Sequence, residues 1–440
     1  MPYSPSLPST MLDESLLILQ ESRATWNVQL ELGADHRVDE AKFRQAVLSC
    51  CRRHPMARAR LTRTPRGETS YRWDFNDEVE VDPLQVVECP DDAALNRLRT
   101  ELYAPPIALD TAPGFRVALA RRPGGDLVLL SASHIVADGV GAVRLMQTIV
   151  REYRAEPDPP DPVPLEQARD LGSFLTPKTR GEKWARQMEG LRRVRGALTP
   201  PSRIAVLGGT DGDGFGFAFR AFDIGDTTTP GLTQRASGTT INDVLVAALH
   251  LAVQSWNTKH GAPTARIGVQ MPINIRPADR LWDVVSNLTS MVSVSTEPAD
   301  RADLATATAA VAEQTDEARR NARAYGLFDL LHTTRKASLA VKRAVPKLIE
   351  LTGDRLVDTA MLSNLGRLPE PPTLAGGPDS EPPELWFSPP CDPSCSVSIG
   401  VVTVGKRLAL VTRYRHDQFD TDAAEDFTDL LIAQVAPQPS

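Results

Sequence analysis

A chain of 440 residues, 41% hydrophobic and 24% charged, holds enough apolar material for more than one core, and its length favours two lobes. A formal net charge of −7 opposes any general attraction to nucleic acid or anionic membranes. Five cysteines without paired spacing exclude a disulfide framework or a zinc site, and fit structural thiols in a reduced, cytoplasmic protein.

The first fifteen residues, MPYSPSLPSTMLDES, lack the basic and apolar regions of a secretory signal. Helical spacing of Phe43, Ala46, Val47 and Cys50 predicts a helix over Asp39 to Arg53, capped by Asp39 and stopped by His54-Pro55. A strand is expected through Met56 to Leu61. Gly114 to Ala120 and Leu127 to Ser133 flank Pro123-Gly124-Gly125-Asp126, which is hairpin chemistry. Leu127 to Leu130 is apolar without alternation, as in a strand buried on both faces. From Gly139 the period changes: Val140, Val143, Met146, Val150 and Tyr153 share one side of a helix.

Glu156 to Pro164 reads EPDPPDPVP, a semi-rigid spacer that marks a lobe boundary. The expected division is a lobe over 1–160, a connection over 161–205, and a second lobe over 206–440. The glycine-rich stretch Gly208 to Gly216 has neither GxGxxG spacing nor a following Lys-Ser or Lys-Thr, and reads as a strand-to-strand turn. Asn242-Asp243 opens a helix to Trp256. Its apolar run, Val244 to Val253, is too short to span a bilayer. Strands are expected over Arg266 to Ile275 and Leu288 to Ser295, and a surface excursion over Pro369 to Pro390. The last pair, Val397 to Val404 and Leu408 to Tyr414, is joined by Gly405-Lys406-Arg407.

The seven histidines separate by setting. His36 and His260 sit in polar loops, His54 ends a helix, and His250 lies in an apolar helix as a core residue. His332 and His416 show no ligand spacing, and there is no HExxH. His134 differs because it ends a buried strand at a turn, Ser133-His134-Ile135-Val136-Ala137-Asp138-Gly139. A histidine held so rigidly suits general-base work near pH 7. Asp138 can fix the turn through local backbone or a cation, and Gly139 is expected to supply backbone angles denied to other residues. From spacing alone, a strand-end histidine followed by a plain turn is the slightly better reading.

Ser-His-Ile-Val-Ala-Asp-Gly resembles the HHxxxDG signature of the chloramphenicol-acetyltransferase-like superfamily. That group includes nonribosomal peptide condensation domains, wax ester synthases, plant HxxxDG acyltransferases and polyketide-associated acyltransferases. Further segments follow in the family's order: Arg53 to Arg58, Leu109 to Val117, Thr240 to Val244, Met271 to Arg276, and Ser363-Asn364-Leu365-Gly366. Their collinearity covers nearly the whole chain.

The resemblance implies an α/β (α+β) fold of two lobes, each a mixed sheet flanked by helices, with an active-site tunnel between them. It implies His134 as catalytic base, supported by Asp138 and Gly139, with Asp138 turned from substrate and paired to Arg276. For Arg276, a surface arginine before Pro277 is the competing reading. Ser363 and Asn364 fall near the developing oxyanion in the resemblance, or form a simple turn before Gly366. Ser133 stands where the signature has its first histidine, and the plant-type DFGWG segment is missing. The implied activity moves an acyl group from coenzyme A or a phosphopantetheinyl carrier protein to an alcohol, less readily an amine, in secondary-metabolite or lipid biosynthesis. No tightly bound cofactor or metal is implied. The other reading is an inactive docking module that binds a carrier protein or recruits another enzyme.

Overall fold

The computed structural model describes residues 6–22, 25–62, 68–75, 79–161, 163–196, 199–208, 214–225, 232, 236–277, 282–320, 325–344, 357–374, 383–391 and 395–435. In chain order the strands are β1 (Ser6–Pro8), β2 (Asn27–Gly33), β3 (Ala59–Leu61), β4 (Arg72–Phe75), β5 (Leu84–Glu88), β6 (Phe115–Arg122) and β7 (Gly125–Ser133). They continue with β8 (Phe215–Asp223), β9 (Ile267–Asn274), β10 (Thr289–Thr296), β11 (Ala360–Arg367), β12 (Leu385–Ser388), β13 (Val397–Val404) and β14 (Arg407–Arg415).

These strands form two large mixed sheets, β12-β2-β7-β6-β5 and β10-β9-β11-β13-β14-β8, beside a small sheet, β1-β4-β3. Position in the sheet explains the sequence pattern. Central β7 and β13 are buried along their whole length, whereas edge strand β10 alternates, sending Ser290, Val292, Val294 and Thr296 inward. The β6–β7 hairpin turns at Gly124, whose φ of 84° favours glycine.

Helices cover both large sheets. Glu40–Arg53 packs beside Gly139–Arg154 over the first, around a core that includes Leu30, Phe43, Val47, Leu130 and Met146. Ile241–Lys259, Leu304–Arg320 and Thr421–Ala433 cover the second. Asp39 caps its helix by accepting from Lys42 N–H. The helix at Ile241 starts one residue earlier than expected, because Thr240 and Asp243 close a capping box. Among the described residues no helix is long and apolar enough to cross a membrane.

Three local expectations change. Pro55–Arg58 is a 3-10 turn, and the strand after it is only Ala59–Leu61. The segment before Pro164, expected as a semi-rigid spacer, is also anchored, at Asp158. That carboxylate accepts from Arg144 at 2.8 and 3.0 Å, from Arg151 at 2.8 Å and from Thr148 at 2.9 Å, and also pairs with Arg53.

The stretch before Pro390 is not wholly a surface excursion either. Leu385 and Phe387 are buried in β12, which pairs antiparallel with β2 although β11 and β13 belong to the other sheet. Gly400 of β13 lies directly under this crossing, where a Cβ would overlap the Phe387 carbonyl. Arg413 of β14 is fully buried beside the same crossing and donates to Gln29 Oε1 at 3.0 Å and Pro389 O at 3.2 Å. The expected turn at Gly208 to Gly216 falls largely on residues 209–213, outside the described residues.

Candidate active site

The turn that carries His134 is fixed by the end of β7. His134 N–H donates to Trp26 O at 2.8 Å, and Ser133 O accepts from Val136 N–H and Ala137 N–H at 2.9 and 3.0 Å. Ile135, Val136 and Ala137 are fully buried, so the turn is pinned by packing as well as by hydrogen bonds. Ser133 is itself buried, on the strand's other face, and does not line the cavity that His134 meets.

Asp138 is the N-cap of Gly139–Arg154, with Oδ1 accepting from Gly141 N–H at 2.9 Å. Arg276 holds the same carboxylate with two parallel bonds, Nη1 to Oδ2 at 2.7 Å and Nη2 to Oδ1 at 2.9 Å. Leu288 N–H and the Thr289 hydroxyl add two more, at 2.8 and 3.0 Å. Burial pushes the Asp138 carboxyl up, but Arg276 and the surrounding N–H donors outweigh it and hold the group below the usual carboxylate range. Arg276 also donates to Val284 O and Ser286 O at 3.1 and 2.8 Å. The segment 284–289 is thereby tied onto the start of the helix. An ion pair this enclosed costs about 3–5 kcal/mol when one member is removed, because the other is left buried and uncompensated.

Gly139 owes its identity to space rather than backbone angle. Its φ is not positive, and a Cβ there would stand 2.7 Å from Leu365 and 3.2 Å from Phe387. The sequence expectation of a special dihedral is therefore corrected. The glycine lets the helix start approach β11 and β12.

The His134 ring is 7% exposed. Its Nδ1 is buried and makes no hydrogen bond to any other described residue. Since the ring lines a cavity, Nε2 is the nitrogen presented to it. Burial lowers the ring's pKa, and attraction to Asp138 opposes that only in part. Enclosure thus favours the neutral ring. The cavity measures about 240 Å³ and is walled from both large sheets. Its polar lining is His134, Asn274, Thr289, Ser363 and Asn364. The rest is mostly apolar, with Trp282, Met291, Met361 and Phe387 prominent. A larger hollow of about 380 Å³, beside Leu84 and Arg116, holds no residue of the His134 turn.

The structure thus gathers the sequence candidates into one place. His134, Gly139, Ser363 and Asn364 line the cavity, and Asp138 and Arg276 lock the turn behind it. Asn274, Thr289 and the Leu288 N–H were not singled out from sequence. Asn274 lies within the Met271 to Arg276 segment, and its place two residues before the arginine was the available signal. Among the described residues no group of three or more His, Cys, Asp or Glu side chains is placed to hold a metal ion.

Comparison with known proteins follows the same outline. The profile of the Condensation domain family matches residues 15–344. An uncharacterized protein of Mycobacterium tuberculosis is 32% identical over 421 residues, which cover 94% of each chain. The first condensation domain of the calcium-dependent antibiotic synthetase, in complex with a substrate analogue, is similar with a TM-score of 0.71 and 13% identity, over 98% of this chain and 97% of that one. The starter condensation domain of rhizomide synthetase, in complex with C8-CoA and Leu-SNAC, gives 0.68 and 13%, over 98% and 94%.

Proposed function

The chain belongs to the condensation-domain family, and from that premise we propose that it transfers an acyl group from a thioester to a hydroxyl acceptor, less readily to an amine, with His134 as general base. The observation that carries this reading is an imidazole fixed by its turn and lining a cavity walled by both sheets, in surroundings that favour its neutral form. In the proposed reaction Nε2 takes the acceptor's proton as its oxygen or nitrogen bonds to the thioester carbonyl carbon. The carbonyl electrons move to oxygen. When they return, the carbon–sulfur bond breaks and the imidazolium passes its proton to the departing sulfur. Asp138 and Arg276 neutralise one another behind the turn and hold the ring in place without touching substrate. The Asn364 side chain supplies a donor for the oxyanion, with Ser363 beside it.

The apolar walls suit a hydrocarbon acyl group. The rhizomide synthetase domain bound to C8-CoA supports such a donor here, free on coenzyme A or carried on a phosphopantetheine arm. General-base help is worth about 10²–10⁴-fold, and holding donor and acceptor together supplies much of the remainder. The test offers octanoyl-CoA and octanoyl carrier protein to the wild type and to His134→Ala, each with a panel of alcohols and amines. Wild-type transfer that falls at least about 10²-fold in His134→Ala, with an unchanged melting temperature, is the expected result. A variant that keeps most of the rate overturns the mechanism. Transfer to no acceptor, together with tight carrier-protein binding, favours the docking-module reading instead.

A further inference from the structure

β9 and β11 are adjacent parallel strands, paired at Val269 with Ala360 and at Gln270 with Met361. Asn274 and Asn364 lie four and three residues past that last pair, in the same direction along the sheet. Each makes a small local turn, Asn274 at the end of β9 and Asn364 within β11, where the register with β13 shifts. The Oδ1 of Asn274 accepts from Arg276 N–H at 3.0 Å, and the Oδ1 of Asn364 accepts from Gly366 N–H at 2.8 Å. Arg276 Nη1 adds a second bond to Asn274 Oδ1 at 3.3 Å.

With each oxygen engaged by a donor, the two amides can face only one way, NH2 outward. Neither Nδ2 is buried and orphaned, neither is bonded among the described residues, and both residues line the His134 cavity. Aspartate closes this kind of turn as well as asparagine does, through the same acceptor oxygen two residues ahead of its N–H partner. Only asparagine also has protons to offer. The Thr289 hydroxyl, also in the lining, is already committed to Asp138.

We propose that Asn274 is a further catalytic residue, whose Nδ2 donates, together with Nδ2 of Asn364, to the oxyanion that forms on the thioester carbonyl. The proposal rests on the acyl-transfer reading above. It gives Arg276 a double purpose: one guanidinium fixes the aspartate beneath the base and the amide that faces the oxyanion. Base and donors are then set by one rigid group before substrate arrives.

The experiment compares Asn274→Asp, Asn274→Ala and His134→Ala with wild type, using octanoyl-CoA and whichever acceptor the wild type turns over. Asn274→Asp keeps the acceptor oxygen for Arg276 and removes the donor. Its kcat is expected to fall about 10²–10³-fold with KM for octanoyl-CoA nearly unchanged and the melting temperature retained, and Asn274→Ala is expected to lose a similar factor in kcat. A purely structural asparagine gives the opposite pattern, with aspartate keeping the rate and alanine losing stability. An active Asn274→Asp beside a dead His134→Ala overturns this inference alone. A wild type that turns over no donor with any acceptor overturns the acyl-transfer reading and the inference with it.

Discussion

His134 is enclosed on its Nδ1 side and open on the other, and this asymmetry sets its acid–base behaviour. Enclosure disfavours the charged ring, so its pKa lies below the ordinary histidine value, with Asp138 opposing the shift only in part. The sign for catalysis is direct. The proposed general base must be neutral, and a lowered pKa keeps it neutral into more acidic solution. A plot of kcat/KM against pH should therefore stay flat as pH falls through about 6.5, with its acid limb below that point. An acid limb at or above the ordinary histidine value contradicts the assignment. Arg276 holds the Asp138 carboxyl below the usual carboxylate range, so it stays ionised at neutral pH.

Short elements carry most of the geometry. β12 is four residues long, yet it brings Phe387 to the cavity wall, pairs with β2 and lies across β13. Gly400 makes that approach feasible, since any side chain there meets the Phe387 carbonyl and stands 2.8 Å from Pro389 Cδ. Gly400→Ala is expected to cost about 1–3 kcal/mol in urea unfolding and to lower acyl transfer by moving Phe387. A variant of wild-type stability shows that the crossing has room to shift.

The same contrast decides what the sequence disclosed. The Asp39 cap, the β6–β7 hairpin and the change of period at Gly139 are local, and neighbouring residues reveal them. The reason for Gly139 is Leu365 and Phe387, more than two hundred residues away, and no nearby spacing reports it. Asn274 was hidden likewise. Its Oδ1 bond is local, but its value lies in a cavity completed by the His134 turn, β11 and β12.

At the scale of the molecule, the passage out of the first large sheet is anchored rather than hinged. Asp158 gathers Arg53, Arg144 and Arg151, and its carboxyl is held down at about 2: burial pushes it up, but bonds from Arg144 and Arg151 outweigh that. Because that value is below the unfolded one, the stabilisation is complete above the ordinary aspartate pKa and is lost as pH falls towards 2. Asp158→Ala leaves Arg144 buried with no carboxylate and should cost about 3–5 kcal/mol, read as a lower urea midpoint. A change below about 1 kcal/mol shows that the arginines find other partners. The proline-rich composition of this stretch gave no sign of the anchor, since three arginines converge on it through the tertiary fold.

The crossing of β12 also dictates an order of events during synthesis. Strands β2, β5, β6 and β7 leave the ribosome early, but their sheet keeps one bare edge on β2 until residues 385–388 emerge. A nascent chain is exposed through that interval to edge-to-edge pairing with its neighbours on the same message.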